Sequence, residues 1–273
     1  MIGFSLRYSY YKDRGKIKVP LFCFFGVVIF FFIYYNLVRK IKIKKERYMY
    51  RYEMHIHSEP CSGGGSDIIK EIDALRERGY AGMVITNHFY FGDTRIDRSL
   101  PWNEFVDAYR QDYERGKKYA DELDFDVLFG IEEHVGDGLE VLVYGVTPDF
   151  LEKHTILMES RVEDYIRLVH EAGGMLFQSH PYRDRYYIRK PGPLPCLEEL
   201  DGIEVYNAAN HPEENELARE LAESLGLKCV AGSDAHSLSS CGKAGIDSPE
   251  RLRTGEDMVR ILKSGNYKLY KGE

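Results

Sequence analysis

The 273-residue sequence predicts an α/β barrel. Three observations carry that expectation. Short apolar runs alternate with stretches of helical periodicity, and the connections between them are mostly short. Gly or polar turn residues bound each run. Histidine, glutamate and aspartate residues then recur where these runs end, as in His55-Ile-His57, His88, Glu132, His180 and Asp234-Ala-His236. Side chains at the strand ends of a closed α/β barrel converge on one mouth, so residues far apart in sequence meet there.

The first fifty residues read differently from the rest. Residues 1–18 form a basic segment, and from Val19 to Val38 there is no charged side chain. Twenty such residues in a helix span about 30 Å, the thickness of a bilayer core. Tyr34 and Tyr35 lie near one end, where aromatic rings favour the interface. No small-residue cleavage site follows, which argues against a removed signal peptide. The expectation is a single transmembrane helix over 19–38 and a basic juxtamembrane linker over 39–51. Five bases precede the span and seven follow it, up to Arg51, a bias that places the following domain in the cytoplasm. The basic linker suits anionic lipid head groups. The alternative is a start at Met49 or Met54, which leaves a cytoplasmic domain without an anchor.

Within residues 52–273 the elements follow in order. Glu53–His57 reads as the first strand, and Gly63-Gly64-Gly65 as a flexible turn. Ser66 is the expected cap of a helix that runs through Ile68, Ile72 and Leu75 and ends at Gly79. Met83–Thr86 is the second strand. A long polar connection leads to a helix near Trp102–Leu123, where Trp102, Phe105, Tyr109 and Tyr113 recur at helical spacing, a pattern of core packing. Asp126–Ile131 and Glu140–Val146 are the next strands, and a helix over Arg161–Glu171 ends at Gly173-Gly174. Met175–Ser179, Gly202–Tyr206 and Lys228–Ala231 complete the set, with a helix over Glu213–Leu225. Seven strands with interleaved helices predict a parallel barrel.

Charge is informative once divided. Residues 1–51 carry 12 Lys/Arg and 2 Asp/Glu, whereas residues 52–273 carry 25 and 42, a net of −17. So acidic a domain repels a polyphosphate backbone, which counts against a nucleic-acid partner and for a small substrate. The five cysteines show no Cys-x-x-Cys spacing and are odd in number, so neither a disulfide framework nor a structural zinc site is expected.

Chemistry concentrates in seven residues: His55, His57, His88, Glu132, His180, Asp234 and His236. A His-x-His pair puts both imidazoles on one face of a strand. Imidazoles with carboxylates suit Zn, Mn or Fe(II). His154, His170 and His211 have no ligand spacing and read as ordinary histidines.

Taken together, Glu53-Met-His-Ile-His-Ser58, Ile85-Thr-Asn-His88, Gly130-Ile-Glu132, Ser179-His-Pro-Tyr-Arg183 and Gly232-Ser-Asp-Ala-His236 resemble the successive motifs of the PHP (polymerase and histidinol phosphatase) superfamily, over roughly residues 51–245. The resemblance implies a distorted seven-stranded barrel, two or three divalent metal ions and phosphoester hydrolysis. It implies one metal held by His55, His57, Glu132 and Asp234, a second by Glu132 and His180, and a third by His88 and His236. The last two sets fall short of the family pattern. The usual Asp or His after His57 is missing around Cys61-Ser62-Gly63, and Glu140-Val-Leu-Val-Tyr-Gly145 lacks a histidine. Glu59, Asp67, His134 and Glu140 are the candidate replacements, and Asn87 stands where an aspartate is usual. Arg183 is the candidate catalytic residue, gripping phosphate through a bidentate fork; Lys243 is a second candidate base. Two functions are in view: a metal-dependent phosphoesterase acting on a small phosphorylated metabolite, and a non-catalytic metal-binding or regulatory module tethered to the membrane.

Overall fold

In the computed structural model, residues 49–59, 65–159 and 161–272 are described. The expected membrane helix over 19–38 and its flanks, and residues 61–63, lie outside them. Among the described residues no helix is long and apolar enough to cross a membrane.

Residues Met49 onward form one compact unit built on a single sheet. The strands are β1 (Tyr50–Ile56), β2 (Gly82–Ile85), β3 (Asp126–Gly136), β4 (Leu139–Tyr144), β5 (Met175–Gln178), β6 (Gly202–Asn207), β7 (Lys228–Gly232), β8 (Ala244–Ser248) and β9 (Lys268–Lys271). The helices are α1 (Ile68–Glu77), α2 (Trp102–Ala120), α3 (Pro148–Lys153), α4 (Val162–Glu171), α5 (Pro212–Leu225) and α6 (Gly255–Ser264). Their spatial order across the sheet is β7-β6-β5-β4-β3-β2-β1-β8-β9. The sheet thus has nine strands rather than the expected seven.

Nor is it all parallel. β1–β2–β3 and β5–β6–β7 pair in parallel, but β4 runs antiparallel to both β3 and β5. The cause is local. Only Asp137 and Gly138 separate β3 from β4, whereas a parallel crossover needs a dozen residues or more. Asp137 and Gly138 have φ of 54° and 83°, the left-handed geometry of a tight hairpin turn. β8 and β9 add antiparallel pairs beside β1.

The two edges of β1 position the functional end. Its first residues pair with β8, Tyr50 opposite Ser248. Its last residues bond the segment after β7: Asp234 N–H donates to His55 O (2.7 Å) and His57 N–H to Ala235 O (3.1 Å). β7 is thereby brought back to β1 where the histidines sit, and the barrel closes at its mouth.

Helices cover the outside. α1 buries Ile68, Ile72 and Leu75, and its cap is Asp67, not Ser66: the Asp67 carboxylate accepts from Ile69 and Lys70 N–H. α2 buries Trp102, Phe105 and Tyr109 against Phe89, with ring centroids 4.9–5.8 Å apart. The Tyr109 hydroxyl donates to Asn87 O (2.6 Å), fastening α2 to the connection that leads into His88.

Candidate metal centre

Glu132 is the hub of the mouth. It lies on β3 and is fully buried. Its Oε1 stands 3.2 Å from His55 Nε2 and 3.1 Å from His180 Nε2. Its Oε2 stands 3.3 Å from His57 Nε2 and 3.2 Å from His88 Nδ1. One carboxylate therefore serves four imidazoles, two on each oxygen. Asp234 completes the first cluster, its Oδ1 3.0 Å from His57 Nε2 and 3.5 Å from His55 Nε2. His236 stacks on His57 with centroids 4.2 Å apart, and its Nδ1 is 3.7 Å from Asp234 Oδ1. All seven sequence-derived ligands are brought together.

The donor chemistry fits a cation. His55 Nδ1 is 3.0 Å from Glu204 Oε1, so in the neutral ring Nδ1 holds the N–H and Nε2 offers its lone pair to a proton or a cation. That lone pair faces His57 Nε2 at 3.1 Å as well as the Glu132 and Asp234 oxygens. Electron-pair donors crowded in a buried pocket require positive charge between them, supplied by a proton or a divalent ion. The metal-sized groupings are His55–His57–Glu132–Asp234, His57–His88–His236 and His88–Glu132–Glu140.

Proton affinities follow the same field. Burial alone would lower the His55 pKa, but Glu132, Asp234 and Glu204 outweigh it and hold it well above the usual range. Burial would raise Glu132, yet His55 and the bonds from the other imidazoles hold it well below the carboxylate range. Asp234 is likewise held low by Arg183 and His55 against the effect of burial. At the outer side, burial and the neighbouring His57 push His236 down to about 4.

Of the four candidate replacements, Glu140 is the one in the cluster. Its carboxylate oxygens lie 3.5 Å from His88 Nδ1 and 3.4 Å from His180 Nε2. Asp67 is spent on its helix cap and on Arg115 (2.7 Å), and Glu59 lines a different cleft with Arg115. His134 accepts from Gly138 N–H (3.0 Å) at the cavity edge. Asn87 ties β1 to β2: its Oδ1 accepts from Ser58 N–H at 2.8 Å. Lys243 lines a separate cleft with Arg51 and Arg78. His154 and His170 have structural partners, Phe150 O and Asp201, and His211 stands at the start of α5.

Arg183 is buried at the mouth but is not a free fork. Nη2 donates to Asp234 Oδ2 (2.6 Å) and Asn207 Oδ1 (2.9 Å), and Nε to Asn210 Oδ1 (2.8 Å). The expected bidentate grip on phosphate is therefore not available from these two nitrogens; the guanidinium holds Asp234 instead. Asp234 and His180 have φ of 51° and 28°, a strained geometry for non-glycine residues that their surroundings must enforce.

Glu204 and Asn207 were not singled out by the motifs. Glu204 orients His55 and accepts from His180 N–H (3.1 Å), while Asn207 donates to Glu204 and to Asp234 Oδ2 (3.2 Å). Outer carboxylates of this kind fix the ring orientation of a ligating histidine. A buried Glu inside the apolar run Gly202-Ile-Glu-Val was the available signal.

Comparison with known proteins agrees with this architecture. Residues 212–267 match the PHP-associated family PHP_C. No curated protein matches the sequence. Among solved structures, a two-domain protein from Bacteroides vulgatus containing a predicted PHP-like metal-dependent phosphoesterase superposes with a TM-score of 0.62 at 16% identity. The superposition covers 82% of this chain and 65% of that one, so this chain spans under two thirds of its length. PsfC from Pseudomonas syringae gives a TM-score of 0.55 at 18% identity, over 77% of this chain and 88% of that one. A candidate metal-dependent phosphoesterase from Bifidobacterium adolescentis gives 0.50 at 16%, over 78% and 95%. The fold is thus that of PHP-type α/β barrels. The likeness to PHP proteins rests on the shared fold and on the PHP-associated segment at 212–267.

Proposed function

We propose that this protein is a metal-dependent phosphoesterase that hydrolyses a small phosphorylated metabolite with water. The observation that carries the reading is Glu132, whose two oxygens each face two imidazoles, the arrangement of a carboxylate shared between neighbouring cations. Two or three divalent ions, Zn, Mn or Fe, would be held by His55, His57, Glu132 and Asp234, by Glu132 and His180 with Glu140, and by His88 and His236. Bound ions of this kind activate a water and offset phosphoryl charge.

The chain's own groups do the rest. Arg183 and Asn207 hold Asp234 in its strained conformation, and Glu204 fixes the face His55 presents. With its pKa near 4, His236 keeps a neutral ring and a free lone pair at neutral pH. The cavity above these groups measures ≈ 500 Å³, room for a small ester. Together with the −17 charge of residues 52–273, it supports a small substrate over a nucleic acid. Residues 19–38 serve as a membrane anchor, with the barrel on the cytoplasmic side.

A panel of phosphomonoesters and diesters tests this, with full-length protein stripped by chelator and refilled with Zn, Mn or Fe. Turnover of at least one ester, lost on stripping and restored on refilling, is the expected result. A refilled protein that hydrolyses none contradicts the enzyme reading. It would favour the tethered non-catalytic module, which the commitment of Arg183 to Asp234, Asn207 and Asn210 also suits.

A further inference from the structure

Arg183 leaves the phosphate-binding role only partly filled, and the same cavity holds another donor. Tyr187 lines it, as do His88 and His236. It shares the lining with Arg183, Glu140 and Asp234. A phenol O–H facing such a cavity can donate to a ligand within it. Tyr187 is about half exposed (48%), whereas its neighbour Tyr186 is fully exposed and Ile188 is buried in the core.

The loop that carries Tyr187 is fastened. Ile188 N–H donates to Arg185 O (2.9 Å), and Arg189 N–H donates to Asp137 O (2.9 Å) in the β3–β4 turn. Gly192 N–H closes the loop's far end on Pro181 O (2.6 Å). Gly138 is what lets the turn and loop approach so closely. A Cβ there would come within 2.6 Å of both Tyr187 O and Ile188 Cα, and its φ of 83° disfavours any other residue. The β3–β4 hairpin, whose strands carry Glu132 and Glu140, thus also fixes the loop across the mouth.

Resting on the phosphoesterase reading, we propose that Tyr187 is a substrate-contacting residue whose hydroxyl donates a hydrogen bond to a phosphoryl oxygen of the bound ester. Gly138 is its positioning residue. Burial holds the phenol above its usual pKa against the pull of Arg183, so the donor hydrogen is present at neutral pH. The chemical class recognised is a phosphate monoester or its inorganic phosphate product.

The test uses the metal-loaded full-length chain with inorganic phosphate as the probe, titrated calorimetrically, and KM for any ester the wild type turns over. Tyr187→Phe keeps the ring and removes only the hydroxyl. Phosphate affinity should fall about tenfold, with KM rising by a similar factor, kcat changing less and metal content unchanged. Folded Gly138→Ala protein should show the same loss with its tyrosine intact. Tyr187→Phe binding phosphate as tightly as wild type overturns the tyrosine's role, and a folded Gly138→Ala protein with wild-type affinity overturns the positioning. If the wild type neither binds phosphate nor hydrolyses any ester, the phosphoesterase reading itself falls, and this inference with it.

Discussion

Replacing Glu132 with Gln is the sharpest single perturbation of the centre. The change keeps size and shape but removes the charge, and turns one oxygen into an amide nitrogen whose hydrogens point at two imidazoles. In the wild type each oxygen lies 3.1–3.3 Å from two ring nitrogens, all in a buried pocket. Breaking a buried charge constellation by removing one partner costs roughly 3–5 kcal/mol. Carried into metal affinity, that is roughly a 10²- to 10⁴-fold loss. Because Glu132 touches ligands of every proposed position, all bound ions should be weakened together. Elemental analysis after exhaustive dialysis reads this directly. Melting with and without added metal gives a second readout, since an ion at 100 times its Kd stabilises by about 2.7 kcal/mol. The variant should lose its metal and most of the metal-dependent shift. Glu132→Gln protein that keeps wild-type metal content through dialysis would refute the shared-carboxylate reasoning.

Other expectations follow from the same geometry. Arg183→Ala should lower metal retention as well as raise KM, because the guanidinium holds Asp234 at 2.6 Å; a pure KM effect with full metal content would restore the simpler phosphate-fork role. In chelator, Asp234 has a folded pKa below its unfolded value, so it contributes stability above about pH 4 that is lost as the pH falls through the folded value. Asp234→Asn should therefore flatten the acid side of the stability–pH profile, measured by urea denaturation, and an unchanged profile would deny that pairing. Cell fractionation with a C-terminal tag should find the full-length protein in the membrane fraction; a soluble product with the mass expected for a start at Met49 or Met54 would remove the anchor.

Much of the barrel was legible because its strands are short apolar runs such as Met83–Ile85 and Met175–Phe177, buried on both faces. β8 and β9 escaped because Ala-Gly-Ile-Asp-Ser and Lys-Leu-Tyr-Lys show little apolar alternation, and they exist through pairing beside β1. Strand direction failed at β4 for a readable reason. β3 runs on to Gly136, and the Gly-Asp-Gly turn leaves no room for a crossover. That these side chains would meet was legible because imidazoles and carboxylates at strand ends have few other reasons to recur. What no spacing could rank was Glu140 over Asp67 and Glu59, since that choice depends on which side chains an antiparallel β4 turns toward His88 and His180. The surroundings of Arg183 and Tyr187 were hidden likewise, being set by Asp234, Asn207 and the β3–β4 turn rather than by their neighbours in sequence.

The measurement that bears most directly on the central claim is the metal content of full-length protein purified without chelator, determined by elemental analysis and set against protein concentration. Glu132 and the six other buried or half-buried candidate ligands predict at least two divalent ions per chain. A folded preparation holding one ion or fewer would contradict it.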